Sequence, residues 1–315
     1  MKEIEINKVP SPTWSWLKID GKKVSVPEEL KIPAENPEII NSKKNQKDGE
    51  PVILEYSLQN GENKSVSQII QAEEGDELSV IILNESEKDA EGFNANSTKV
   101  IAKPFSRVTV YKVHLLGENL TQICQTEVVA DENAKVTVNH ILLGAKALFM
   151  ETKCDLNGYK ASFNSELSYL AEKEELKDFN YIVNHFGKKT DCNMNVYGTL
   201  RDKAEKNYRG TIDFKNGCAG SVGEETEDAL LLSPEVKNNS LPVILCREED
   251  VQGEHGATIG RISEEMLYYM ESRGFSKKQA ENACARAKIQ RVLSKIPDEN
   301  IQKKVSDFLE NIFEE

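Results

Sequence analysis

From about residue 76 to 247 the apolar positions recur with a period of two. ELSVIILNE, KVIAKPFSRVTVYKVHLLG, KVTVNHILLG, ALFMETKCDLNG, KASFNSELSYLAE, FNYIVNHFG, CNMNVYGTL, YRGTIDFKNG and DALLLS alternate or form short apolar runs. Gly, Asn and Asp cut them at short intervals, as turns between strands require. Val, Ile, Thr and Tyr dominate, which suits a pleated surface. About 170 residues pass without a helical pattern. The pattern predicts an all-β body of many short strands: a sandwich, a barrel or a solenoid. No strict repeat is visible, so periodicity alone leaves that choice open.

The ends of the chain read differently. Residues 1 to about 70 are mixed: PSPTWSWLKIDG carries both tryptophans, and the Pro-, Asn- and Lys-rich stretch after it predicts extended segments and loops. From Ser263 the period becomes 3.6. Ser263 can N-cap a helix with Glu264 and Glu265 in its first turn, Met266, Leu267 and Met270 form its stripe, and Gly274 suits its C′ position. Ser276 and Gln279 form a capping box for a second helix with Ala280, Ala283, Cys284, Ala287, Val292, Leu293 and Ile296 as its inner face. Ile301, Val305, Phe308, Leu309 and Ile312 mark a third. These helices are expected to pack on one another and on the end of the β body, with boundaries near residues 1–70, 71–260 and 261–315.

Charge narrows the partners. Forty Lys and Arg against 53 Asp and Glu leave a net charge of −13, which argues against a nucleic-acid face. No apolar run approaches the roughly 18 residues needed to span a bilayer, and the N-terminus has no apolar signal core. A cytoplasmic chain without membrane contact is expected. The cysteines, Cys124, Cys154, Cys192, Cys218, Cys246 and Cys284, lie about 30 residues apart with no CxxC; reduced, mostly buried thiols are expected. There is no P-loop, so no nucleotide is expected on this chain. Gly217, Gly220 and Gly223 are spaced GxxGxxG before a strand-like segment, which is not a dinucleotide fingerprint. No HExxH or G-x-S-x-G occurs. Acidic residues lie in surface-like runs such as EEGDE, KDAEG and EKEELKD.

One segment stands apart: CREEDVQGEHGATIG. His255 is followed by Gly256, Ala257 and Thr258, with Glu254 adjacent and Cys246 nine residues upstream. A neutral imidazole can ligate iron or zinc, or carry a proton. It can equally be hydrogen-bonded in a tight joint where strands give way to helices. The residues leave both readings open.

The longer stretch SLPVILCREEDVQGEHGATIGRISEEMLYYMESRGFSKKQA resembles the signature of the SufB/SufD family of iron–sulfur cluster assembly proteins. Its core is P-x-L/I-x-I-x-x-x-D-V-x-x-x-H-G-A-T-x-G, then an acidic helix with paired aromatics, then S-R-G. PTWSWLKI, YRGTIDF and DALLLS resemble other family elements, in order. The resemblance implies a mainly β fold, a right-handed parallel β-helix with a C-terminal helical domain. It implies a non-enzymatic scaffold subunit that pairs with a SufB-type paralogue through the last rungs, or with itself as a homodimer. It also implies a SufC-type ATPase partner docked on the C-terminal helices, with Tyr268, Tyr269, Arg273 and Gly274 as the candidate docking residues.

The HGAT form resembles the SufD branch, since SufB chains more often carry HEAT. SufB chains also tend to have a cysteine just before the LLL segment, and that place falls near Glu227. The resemblance places His255 at the interface between paralogues, where it would ligate iron in a transient Fe–S cluster, with Cys246 and Glu254 as neighbours to consider. Imidazole can replace a thiolate at one iron, giving a site fit for hand-over. Two other readings are kept: a homodimeric SufB-like scaffold that assembles the cluster itself, and a β-solenoid enzyme acting on carbohydrate, which needs convergent carboxylates along one face.

Overall fold

The computed structural model describes residues 1–13, 19–45 and 49–314. Trp14 and Trp16 of the PTWSWLKI element lie outside the described residues. The chain is mainly β, a parallel β-solenoid of about 8 turns with three helices at the C-terminus. Strands β1 (Lys2–Ile6) and β2 (Lys22–Val26) form a separate antiparallel pair.

All later strands alternate between two eight-stranded parallel sheets. The first sheet holds β3 (Glu38–Asn41), β5 (Glu62–Ala72), β7 (Glu91–Ala102), β9 (Asn119–Ala130), β11 (Ala147–Leu156), β13 (Leu176–His185), β15 (Glu205–Phe214) and β17 (Lys237–Cys246). The second holds β4 (Val52–Leu58), β6 (Glu77–Ser86), β8 (Arg107–Leu116), β10 (Lys135–Gly144), β12 (Ser162–Ala171), β14 (Asp191–Leu200), β16 (Ser221–Leu231) and β18 (Val251–Gly260). The sheets therefore reach back to Glu38, so β3 to β5 begin in the mixed stretch before residue 71, for which the sequence predicts extended segments and loops.

The repeat that the residues do not show is carried by the backbone. Gly75, Phe105, Asn133, Lys160, Lys189 and Gly220 all have positive φ. Each donates its N–H to a carbonyl in the corresponding turn of the next rung: Pro104, Glu132, Tyr159, Lys188, Ala219 and Asp250. One corner of the solenoid thus stacks the same left-handed turn six times. Glycine takes it without strain, and a stacked hydrogen bond holds the other residues in it.

Both faces of both sheets are used. The facing inner surfaces bury one continuous core, including Val108, Val136, Phe163, Phe179 and Ile212. The β1–β2 pair covers the outer face of the first sheet, where Ile6, Val24, Val26 and Leu30 meet Ala95, Ile123 and Phe149. Asn7 Nδ2 donates 2.6 Å to Asp178 Oδ1, and Arg209 Nη1 donates 2.7 Å to the same oxygen, which ties the N-terminal segment down.

After a single helical turn, α1 (Ser42–Asn45), and the exposed helix α2 (Glu264–Ser272), the helices α3 (Lys277–Leu293) and α4 (Glu299–Glu314) lie along the outer face of the second sheet rather than on the end of the β body. Ile289, Val292, Leu293, Ile301, Val305 and Leu309 pack against Ile81, Leu83, Val113, Leu115, Ile141 and Leu143. The sheet's outer positions are apolar, so the helices gain more by covering them than by closing an end. Within α3 the inner face is Ala280, Ala285, Ile289, Val292 and Leu293, whereas Ala287 is exposed and Cys284 half-buried. Small alanines on several faces made that stripe ambiguous. The run EKEELKD is also not a surface run: Glu172, Glu175, Lys177 and Asp178 are buried. They are held by partners distant in sequence or across the strand, such as Arg201 for Glu172 and Arg209 for Asp178.

Four cysteines, Cys124, Cys154, Cys192 and Cys218, are buried, Cys284 is half-buried and Cys246 is exposed; all six are free. Among the described residues, no helix is long and apolar enough to cross a membrane.

Candidate functional site

The solenoid ends openly at its last rung. Strand β18 pairs with β16 on one side only, and β17 with β15 on one side only. Every residue of β18 after Val251 is exposed. Both strands therefore present a row of backbone N–H and C=O groups with no further strand among the described residues beyond them, a template for another chain. His255 sits midway along β18.

Register fixes what surrounds it. His255 stands opposite Glu225 in the β16–β18 pair. Residues in register on neighbouring parallel strands share a face, so His255 lies on the inner side with Glu225 and Glu227. Glu254 falls on the other face, in register with the exposed Glu224, and accepts a hydrogen bond from Gln252 Nε2 at 2.7 Å. Cys246 closes β17 at the corner, and His255 lies four residues into β18, about 13 Å along a strand at 3.3 Å per residue. The rung brings His255 to Glu225. It places neither Glu254 nor Cys246 beside the imidazole.

Beneath this mouth lies a buried polar stack that the sequence analysis did not single out. Lys206 forms an ion pair with Glu227 and donates 3.0 Å to Ser240 Oγ. Burial pulls the Lys206 amine below its usual range, opposed by the charge of Glu227. Burial pushes Glu225 up to about 7; the Tyr208 hydroxyl and Lys206 work against that shift and Glu227 adds to it. Tyr208 itself is held well above the usual phenol range by burial and by Glu225. The stack can hold or release a proton near neutral pH directly behind His255. A signal for it was present: in GEETEDALLLS, Glu225 and Glu227 alternate in step with Ala229 and Leu231, which puts two carboxylates on an apolar face.

The second candidate surface is α2 (Glu264–Ser272). Ser263 caps it by accepting from the Met266 N–H at 3.1 Å, and Ser276 and Gln279 form the expected capping box for α3. Gly274 ends α2 at φ +93°. The apolar stripe does not face a core, because α2 buries none of its residues. Met266, Tyr268, Tyr269 and Phe275 are all exposed, Tyr268 by 75%. The Arg273 guanidinium lies 5.4 Å from the Tyr269 ring centre. Tyr268, Tyr269, Arg273 and Gly274 are all exposed.

The family model for the Suf-system FeS cluster assembly SufBD core domain matches residues 57–288, about three quarters of the chain. The chain belongs to the SufBD family. It is 28% identical over 137 residues to the iron-sulfur cluster assembly protein SufD of Bacillus subtilis, covering 44% of this chain and 31% of that protein. It is 23% identical over 273 residues to SufD of Escherichia coli, covering 84% of this chain and 64% of that protein. It is 23% identical over 183 residues to SufB of Bacillus subtilis, covering 58% and 39%. The chain thus spans from about a third to just under two thirds of these curated relatives. The SufBD match includes β18 and α2, so both candidate surfaces lie inside the family core.

Proposed function

We infer that this SufBD chain is a SufD-like, non-enzymatic scaffold subunit of a Suf-type iron–sulfur assembly complex. Its open rung, β17 and β18, pairs with a SufB-type paralogue, and α2 receives a SufC-type ATPase through Tyr268, Tyr269, Arg273 and the turn at Gly274. His255 faces the joint between the two solenoids and contributes an imidazole to the nascent cluster, which is cargo rather than a resident group. Glu225 behind it takes up or releases the proton that accompanies ligand exchange.

The observation that carries this reading is the exposed last rung, with a histidine at its centre and a buried acid–lysine stack behind it. The presence of Glu227, in an ion pair, where SufB-type chains tend to have a cysteine supports the SufD-like assignment. Imidazole is a sound ligand for iron, and one shared imidazole suits a cluster that must leave.

Co-purification tests it. The tagged chain is expressed with an untagged SufB-type paralogue and a SufC-type ATPase. A three-component complex is expected. Tyr268→Ala with Arg273→Ala should lose the ATPase and keep the paralogue. Ile259→Lys, at an exposed position of β18, should do the reverse. Retention of neither partner by the unmodified chain would overturn the subunit reading. A stable homodimer that assembles a cluster without the paralogue would replace it with the self-sufficient scaffold.

A further inference from the structure

Inside the solenoid, far from the open rung, three metal-ligating side chains converge. His114 on β8, Cys124 on β9 and His140 on β10 are fully buried, and one ligand atom from each lies within 4.8 Å of the others. The histidines come from neighbouring strands of one sheet, where His140 stands opposite Lys112 and His114 opposite Leu142. Cys124 comes from the facing sheet, where it stands opposite Met150. Met150 is fully buried in the same core.

Neither imidazole has a protein partner. Nδ1 and Nε2 of His114 and of His140 are buried with no hydrogen bond. Buried polar groups are nearly always satisfied, so four orphaned ring nitrogens in one place call for a ligand. Two adjacent rings leave an acceptor nitrogen each, which is what a metal ion takes.

We propose that His114, Cys124 and His140 bind one copper(I) ion in the solenoid core, with the Met150 thioether as a weak fourth donor.

The donor set selects the metal. Thiolate and thioether are soft ligands, and a His2Cys set with a distant methionine is the set that copper favours. Three donors around one ion at bonds of about 2.0–2.3 Å sit about 3.5–3.9 Å apart. The ligand atoms now lie within 4.8 Å of one another, so binding would draw them together. Charge selects the oxidation state. The Lys112 amine donates to Thr98 Oγ1 at 2.9 Å and Thr126 Oγ1 at 3.1 Å, and among the described residues it forms no ion pair. A divalent ion bound by one thiolate would leave a second positive charge beside it in a dry interior, whereas Cu(I) with Cys124 thiolate is neutral. A bound ion would tie the two sheets together across four consecutive strands, β8 to β11. Its fully buried place means that it enters as the chain folds.

The inference does not rest on the subunit reading, and its test uses the isolated full chain. The protein is unfolded and refolded anaerobically under reductant with one equivalent of Cu(I), then desalted and analysed for metal. About one copper per chain is expected, with copper–sulfur and copper–nitrogen scattering in its X-ray absorption spectrum. Retention should fall at least about tenfold in Cys124→Ser and in His140→Gln, since loss even of groups behind a ligand has that effect. His255→Ala should retain copper fully. Should a variant fold poorly by circular dichroism, the unmodified chain still decides: copper must slow alkylation of Cys124 under partial denaturation.

No retained copper in the refolded chain overturns the proposal. So does copper held equally by Cys124→Ser, which would place it at another site. Zinc or iron retained by the same three residues in a mixture of all three ions overturns the assignment to copper.

Discussion

Gly210 leaves the space that the Glu225 carboxyl group fills. A Cβ at position 210 would lie 2.3 Å from its carboxyl carbon and oxygens. The glycine of YRGTIDF is therefore a spatial complement to the acid behind His255. Gly210→Ala forces the carboxyl aside, and overpacking of this kind costs about 1–3 kcal/mol. Urea unfolding should show that loss. Gly256→Ala, where a Cβ meets nothing nearer than 3.9 Å, should show almost none.

The same carboxyl makes stability depend on pH. A carboxyl held at about 7 in the fold and at about 4.5 when unfolded keeps its proton longer in the folded state. Its contribution is full below about pH 4.5 and is lost as pH rises through 7. That is on the order of 3 kcal/mol. Glu225→Gln removes the dependence. Relative to the unmodified chain it should gain stability by about that amount between pH 4.5 and 7.5. A constant difference across the range would show that Glu225 titrates normally.

The buried histidines act in the opposite sense. Burial holds His114 down at about 3 and His185 at about 4, against 6.5 when unfolded, and His140 is lowered likewise. The unfolded chain takes up protons first, so stability falls as pH drops from about 6.5 towards 4. Burial also raises Glu151, Glu175 and Asp191, which together with Glu225 oppose that fall. With metal chelated, His114→Gln with His140→Gln should therefore gain stability relative to the unmodified chain as pH drops from about 6.5 towards 4, which urea midpoints would show.

The ion pair of Lys206 and Glu227 predicts an asymmetry. Glu227→Ala strands a buried amine and should cost about 3–5 kcal/mol, whereas Lys206→Met combined with Glu227→Leu should be close to neutral. Thermal unfolding of the two variants separates them. Equal losses would mean that the site is wet enough to solvate a lone charge.

Packing of the C-terminal helices can be checked at two positions. Leu309 is buried against the outer face of the second sheet, and Leu309→Ala should cost about 2–5 kcal/mol. Ala287 is exposed, and Ala287→Ser should change stability by less than about 0.5 kcal/mol. A loss at Ala287 as large as that at Leu309 would favour the face of α3 read from sequence.

The sequence by itself determined the strands from about residue 76 onward, the helix caps and the family. Period two over 170 residues, Ser263, the Ser276–Gln279 box and Gly274 are local signals, and local hydrogen bonding and backbone sterics enforce them wherever the elements end up. His255 was legible because the residues around it are unusual for a strand. Tertiary structure decided which face of each strand looks inward. Period two separates two faces, but here both are covered, one by the opposing sheet and one by the helices or the β1–β2 pair, so apolar content does not label them. That is why EKEELKD read as surface although Lys177 and Asp178 are buried. It is also why Glu225, close to His255 only through the β16–β18 register, stayed hidden. The repeat was invisible for a related reason: Gly75, Phe105, Asn133 and Lys160 share a left-handed backbone, imposed by hydrogen bonds from the next rung rather than by residue type. His114, Cys124 and His140 meet because parallel register stacks strands that lie 10 to 26 residues apart in sequence, a proximity that only the closed solenoid creates.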